Sequence, residues 1–314
     1  MTGRYARFGR QAAAGLEAWR SLAGSGVELV VEDDRGDPAR VTAGIAGLAA
    51  RCDVLLGPYS TQLTRAAVRG LGERERLLWN HGGAGDDVQR LTPGRVVSVL
   101  TPAGRYAEPF LRRVARPPLR IVAGAGAFGR QVAAGAEALA RELGMEFVVG
   151  AGSHPALTQR EEGSWDLLSA GVFEDDVATV RRALALPRPP RTVWSVAAGV
   201  RDSGGPDGVY GPAQWFPGSG APAQVGPQEA AFLGALGGDA PDYPAVQAAA
   251  AAALAVRCAE LAGSIAPAAQ WAAAAALDAT TLFGRFRIDP ATGAQVGHET
   301  VLVRWSAGAA RRVP

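Results

Sequence analysis

Strand-like and helix-like segments alternate along almost the whole chain, and this constrains the fold more than any single residue does. Short apolar runs at residues 27–34, 52–57, 77–80 and 96–100 are separated by helix-patterned stretches at 11–22, 39–50 and 61–70. Such an order is the mark of a parallel sheet covered on both faces. A helix over 105–114 ends before Pro117 and Pro118, and the pattern then restarts. Strands are expected at 119–124, 145–150, 166–171 and 192–197, with helices at 130–143 and 175–186. Two late helices, 244–262 and 266–278, bring no strands of their own and should pack on an earlier sheet. The chain closes with strand-like GRFRID (residues 284–289), a PATG turn, and ETVLVRW (residues 299–305). A chain of 314 residues has room for two cores. The fold class read here is α/β, two Rossmann-like lobes with parallel sheets joined by several crossovers. One lobe is expected to take residues 1–116 and 222–290, the other 117–221 and 291–314.

Composition narrows the chemistry. All 32 basic residues are arginine, so a lysine Schiff base and a P-loop lysine are both ruled out. A net charge of +2 is too small to point to nucleic acid or an anionic membrane as partner. Cys52 and Cys258 match no metal or redox spacing and read as free thiols in apolar patterns. The alanine-rich run at residues 245–256 is too short for a membrane span, so no direct insertion is expected. Met1 leads at once into Arg4, Arg7 and Arg10, which is not a signal peptide.

Several motifs carry competing readings. Gly124, Gly126 and Gly129 have GxGxxG spacing between a strand and a helix. A dinucleotide site needs an acid at the end of the next strand, where Val149, Gly150 and Ala151 stand instead. The motif therefore reads as a tight turn, no cofactor is expected, and an NAD-dependent enzyme is the weakest alternative. The His81–Gly85 stretch is similar to an esterase oxyanion loop, yet no serine has the flanking glycines of a nucleophile elbow, so no catalytic residue is assigned. Asp86 and Asp87 read as helix caps, and His154 and His298 lack a second ligand at metal spacing, so no metal is expected. The segment Gly57-Pro58-Tyr59-Ser60-Thr61 is more informative. A buried strand ends there and a Ser/Thr pair opens a helix, whose free amides and dipole suit a carboxylate. N-capping alone would explain the pair equally well. The glycine turn at residues 80–85 should lie beside it in a parallel sheet, and two amide-rich turns together favour a small anionic group.

With these residues in view, the chain resembles the substrate-binding proteins of branched-chain amino-acid type ABC transporters, which have the type I periplasmic-binding fold. The resemblance runs nearly end to end. TGRYARFGRQAAAGLE is similar to the segment after that family's first strand, and VVEDDRGDPAR to its second strand and turn. LLGPYSTQLT and WNHGGAGDDV resemble its ligand-binding turns, and LFGRFRIDPATGAQVGHETVLVRW its last hinge and strand. The resemblance implies an extracytoplasmic protein, periplasmic or membrane-associated, that captures a small amino-acid-like ligand between its lobes for a permease. It implies no enzyme activity. A cytoplasmic sensor of the same fold is the alternative. The ligand carboxylate is expected at Tyr59, Ser60 and Thr61, with the Gly82, Gly83 and Ala84 turn supplying the amides of Gly82 and Ala84. Phe8, Phe128 and Phe173 are expected as aromatic walls. The family's ammonium-binding acid is replaced by Ala198, and Glu174 or Asp175 could take its role, so an amide or an aromatic carboxylate also fits as ligand. The chain also begins where the family's first strand should have finished, which implies an apparent truncation at the N-terminus.

Overall fold

The computed structural model describes residues 1–24, 26–151, 163–201, 205–237 and 241–314. The chain divides into two compact units, Met1–Thr101 with Pro217–His298, and Pro102–Phe216 with Glu299–Pro314. His154 lies outside the described residues.

Unit 1 opens with α1 (Ala6–Ala23) and α2 (Pro38–Arg51), followed by β1 (Leu55–Leu56), α3 (Thr61–Leu71), β2 (Leu78–Asn80) and β3 (Val96–Ser98). Pro38 at the first position of α2 and Asp37 as its cap, accepting from Ala39 N at 2.8 Å, explain where that helix starts. The three strands are parallel in the order β1-β2-β3. Val41, Ile45 and Ala49 of α2 and Leu63, Ala67 and Leu71 of α3 bury against Leu55, Leu78 and Val96. Residues 27–34, expected as a strand, form none. Val30 and Val31 are 39% and 53% exposed there. A strand exists only where a neighbouring backbone takes its hydrogen bonds, and among the described residues no strand pairs with this segment.

Unit 2 begins with α4 (Glu108–Arg113), β4 (Leu119–Ala123), α5 (Ala127–Glu142), β5 (Phe147–Ala151), β6 (Asp166–Ala170), α6 (Phe173–Leu184), β7 (Thr192–Ser195) and β8 (Tyr210–Ala213). The chain then returns to unit 1 with α7 (Glu229–Ala235), α8 (Tyr243–Ala262), α9 (Pro267–Ala276) and the hairpin of β9 (Ala279–Thr281) and β10 (Gly284–Phe286). It ends in unit 2 with β11 (Val301–Ser306) and β12 (Ala309–Arg312). The seven-stranded sheet of unit 2 has the order β12-β11-β8-β7-β6-β4-β5, and its five strands β5 to β8 with β4 are parallel.

The helix expected over 244–262 forms with its start one residue earlier, and it extends past both ends of the alanine-rich run at 245–256. Helix α8 has 20 residues and is long and apolar enough to cross a membrane by length and composition. In unit 1 it serves as a core helix, buried over 67% of its most apolar window. Small side chains let it approach α1 closely, since a Cβ on Gly15 would stand 2.1 Å from the Ala245 carbonyl oxygen. A helix apolar all round is stable when every face is covered. Cys258, on α8, is buried and its thiol is pushed up to about 12 by desolvation, and Cys52 is half-buried and free.

Candidate functional site

The GPYST turn and the glycine turn lie side by side because β1 and β2 are parallel neighbours and both turns leave at the carboxyl ends. Ser60 N–H donates to Gly82 O at 3.0 Å, and Gly85 N–H donates to Thr61 Oγ1 at 3.0 Å. Ser60 caps α3 by accepting from Leu63 N at 3.3 Å. Its φ of 93° is rarely adopted by L side chains, a strain of order 1–3 kcal/mol that such sites retain for geometry. Arg65 of α3 grips Asp87 with two bonds of 2.8 Å, so Asp87, expected as a cap, anchors the second turn to α3.

Asn80, buried at the end of β2, organises the glycine turn. Its Oδ1 accepts from Gly82 N at 3.3 Å and Gly83 N at 2.8 Å, while Nδ2 donates to Gly83 O and Ser98 Oγ, both at 2.8 Å. This corrects one expectation: the Gly82 amide turns inward to Asn80 and is not presented as a donor. Ala84 N–H has no hydrogen-bond partner among the described residues, and neither do the first-turn amides of Thr61 and Gln62. The Thr61 hydroxyl accepts from Gly85 and keeps its own proton to donate. Together these groups form a cluster of donors at a helix N-terminus, a kind of arrangement that favours a negative group.

Phe8 packs on the residue that precedes Ser60. Its ring stacks on Tyr59 at 4.3 Å and 15°, with Tyr5 6.0 Å from Tyr59 on a tilted approach. The structure thus brings together Phe8, Tyr59, Ser60, Thr61, Gly82, Gly83 and Ala84 in unit 1. The other expected residues belong to unit 2. Phe128 stands in the first turn of α5, edge-on to Tyr106 at 5.6 Å, and Phe173 and Glu174 open α6. Both helices follow adjacent parallel strands, β4 and β6, so the three residues share the carboxyl edge of that sheet. Helix α5 starts at Ala127, three residues before the expected start, which is why Phe128 is helical. The GAGAFG stretch packs as a turn: a Cβ on Gly129 would meet Ala170 O at 2.3 Å. Ala198 is buried and its carbonyl accepts from Trp305 Nε1 at 2.8 Å.

His81 sits inside the glycine turn, 4% exposed, and burial pulls its imidazole down to about 4. Since the folded value lies below 6.5, the unfolded chain protonates first as the pH falls. The stability tied to a neutral His81 is full above about pH 6.5 and lost as the pH falls through about 4. Urea unfolding at pH 7 and 4.5 should show His81→Gln spared about 2 kcal/mol of the wild-type loss. Parallel losses in both proteins would contradict a buried neutral imidazole.

Sequence reasoning missed Asn80, the Arg65–Asp87 pair, Tyr243, whose hydroxyl is hydrogen-bonded to that of Tyr59, and Asp176 in unit 2. Asp176 accepts from Ser169 Oγ and Gly171 N at 2.7 Å each, Ser195 Oγ at 3.1 Å and Ala197 N at 3.0 Å. It therefore ties β6, β7 and the start of α6 together, whereas its neighbours Glu174 and Asp175 are exposed.

Two units built on parallel sheets, with the chain crossing from one to the other at Thr101, Phe216 and His298, define a protein of the type I periplasmic-binding fold. The periplasmic binding protein family model matches residues 1–310, and the chain belongs to that family. Among curated proteins none matches the sequence. The fold is similar to an ABC transporter substrate-binding protein from Desulfitobacterium hafniense in complex with Leu (TM-score 0.76, 14% identity, 96% of this chain and 95% of that one). It is also similar to the branched-chain amino acid transporter substrate-binding protein LivJ of Streptococcus pneumoniae in complex with isoleucine (TM-score 0.74, 15% identity, 99% and 96%). A solute-binding protein of Rhodopseudomonas palustris in complex with p-hydroxybenzoic acid is comparable (TM-score 0.77, 18% identity, 100% and 94%).

Proposed function

We propose that this chain is the extracytoplasmic solute-binding component of an ABC importer and that unit 1 holds the carboxylate of a small solute with an apolar or aromatic body. The observation that carries this reading is the donor cluster of Thr61, Gln62 and Ala84 beside the Phe8–Tyr59 stack. Leucine, isoleucine and p-hydroxybenzoate, which occupy proteins of the same fold, share that chemistry. An amino acid and an aromatic acid differ in the ammonium group. Phe128, Phe173 and Glu174, on the carboxyl edge of the unit 2 sheet, are proposed as ligand contacts of that unit, with Glu174 or Asp175 as the group for an ammonium.

Calorimetric titration with leucine, isoleucine, benzoate and p-hydroxybenzoate, each beside its primary amide, tests the reading. At least one acid should bind, and its amide should not. Thr61→Ala should weaken that acid by about 10- to 100-fold, the worth of one hydrogen bond to a charge. Thr61→Ser, which keeps the hydroxyl, should restore most of it. Equal binding of acid and amide, or an unchanged affinity in Thr61→Ala, would remove the carboxylate site.

A further inference from the structure

The start of α8 reaches the GPYST turn from a distance of 184 residues in sequence. Asp242 caps that helix, accepting from Tyr243 N at 2.8 Å, and its carboxylate lies 3.7 Å from the Arg7 guanidinium of α1. Arg7 in turn lies over the Phe8 ring, 5.3 Å from its centroid. The first turns of α1 and α8 are thereby braced against each other, each presenting an aromatic residue to Tyr59. Phe8 covers the face of the Tyr59 ring, and the Tyr243 hydroxyl is hydrogen-bonded to the Tyr59 hydroxyl, with the two ring centroids 6.4 Å apart.

We propose that Tyr243 is a specificity-determining residue of the carboxylate site, acting as a positioning residue for Tyr59; the inference rests on the carboxylate reading above. Tyr59 directly precedes Ser60 and Thr61, so the place of its ring decides which apolar body fits behind a carboxylate held by those residues. Held only by stacking, a tyrosine ring can slide or swing about its side-chain bonds. Tied at its far end by a second phenol, it presents a fixed flat wall. A rigid aromatic wall favours a flat ring, which gains from offset stacking, over a branched aliphatic chain, which packs against any apolar surface. Preorganisation of this kind also lowers the ordering cost at the moment of binding. The Asp242–Arg7 brace supplies the second fixed point, since it sets the start of α8 relative to Phe8.

The test uses p-hydroxybenzoate, benzoate and L-leucine as probes, with wild type, Tyr243→Phe, Tyr59→Phe and the double variant. Tyr243→Phe removes one oxygen and keeps the ring. It should weaken the aromatic acids by about three- to tenfold, the worth of one neutral hydrogen bond, and leave leucine nearly unchanged. Tyr59→Phe should change the ratio in the same direction, and the double variant should add little to either single one. Thermal unfolding of Tyr243→Phe should stay within a few degrees of wild type. A ratio of affinities that does not move, or equal weakening of all three probes, overturns the specificity role, as does strict additivity in the double variant. Failure of wild type to bind isoleucine or any of the three probes overturns the carboxylate reading itself, and the inference with it.

Discussion

Gly82→Ala is expected to abolish carboxylate binding and to cost about 3 kcal/mol of stability, measured by urea unfolding and by titration with the acid that wild type binds. A Cβ at this position would stand 2.4 Å from Pro58 O and 2.6 Å from Tyr59 Cα, and both are backbone atoms of the neighbouring turn. Backbone cannot rotate aside as a long side chain can, so the two turns must part. Their separation breaks the Ser60 N–H to Gly82 O bond, which holds Ser60 at its unfavourable φ. Relaxation of Ser60 would then carry off the Thr61 hydroxyl and the first-turn amides. The matching control is Gly47→Ala in α2, where a Cβ meets nothing within 4 Å. There the same change should stabilise by about 0.5–1 kcal/mol through helix propensity and a less flexible unfolded chain. An unchanged urea midpoint in Gly82→Ala would show that the turns are not packed as described.

Asp176→Ala should be the most damaging single change in unit 2, at about 4 kcal/mol or more. It leaves four buried donors, from Ser169, Gly171, Ser195 and Ala197, without an acceptor. Asp176→Asn keeps the volume but should still cost about 2 kcal/mol, because each carboxylate oxygen faces a backbone N–H and an amide NH2 cannot accept from one. Burial outweighs these bonds and pushes the carboxyl up to about 6. With the folded value above 3.8, the native chain binds more protons than the unfolded chain over this interval, so this contribution to stability falls as the pH rises from about 4 to 6. The protonated acid is tolerated because its O–H can donate to a serine hydroxyl while its oxygens still accept. Wild type should therefore gain about 2 kcal/mol on Asp176→Asn between pH 7 and pH 4.5. The slope is opposite in sign to that of His81, so the two variants separate the groups. A difference that stays flat with pH would mean that Asp176 keeps an ordinary carboxyl value.

The form of the GPYST turn was legible because its signals are local. A strand ending in glycine, followed by a Ser/Thr pair and a helix pattern, specifies a capped N-terminus wherever the chain places it. The likeness of the two βα series likewise reads directly from periodicity. Residues 27–34 show the limit of that method: the pattern names a segment suited to a strand, and pairing depends on a neighbour the segment does not itself contain. Asp176 shows a second limit. Three acids open α6, and which one turns inward depends on the phase of the helix over β6 and β7, a matter of packing and not of residue type.

The α/β class and the capped turn at Tyr59, Ser60 and Thr61 follow from the order of residues alone, since each depends on neighbours within a few positions. The inward turn of the Gly82 amide toward Asn80 and the four-donor cage of Asp176 were decided by the tertiary structure. So was the tie from Tyr59 to Tyr243. Each requires knowing which buried polar group faces which, and that is set by how separate segments pack.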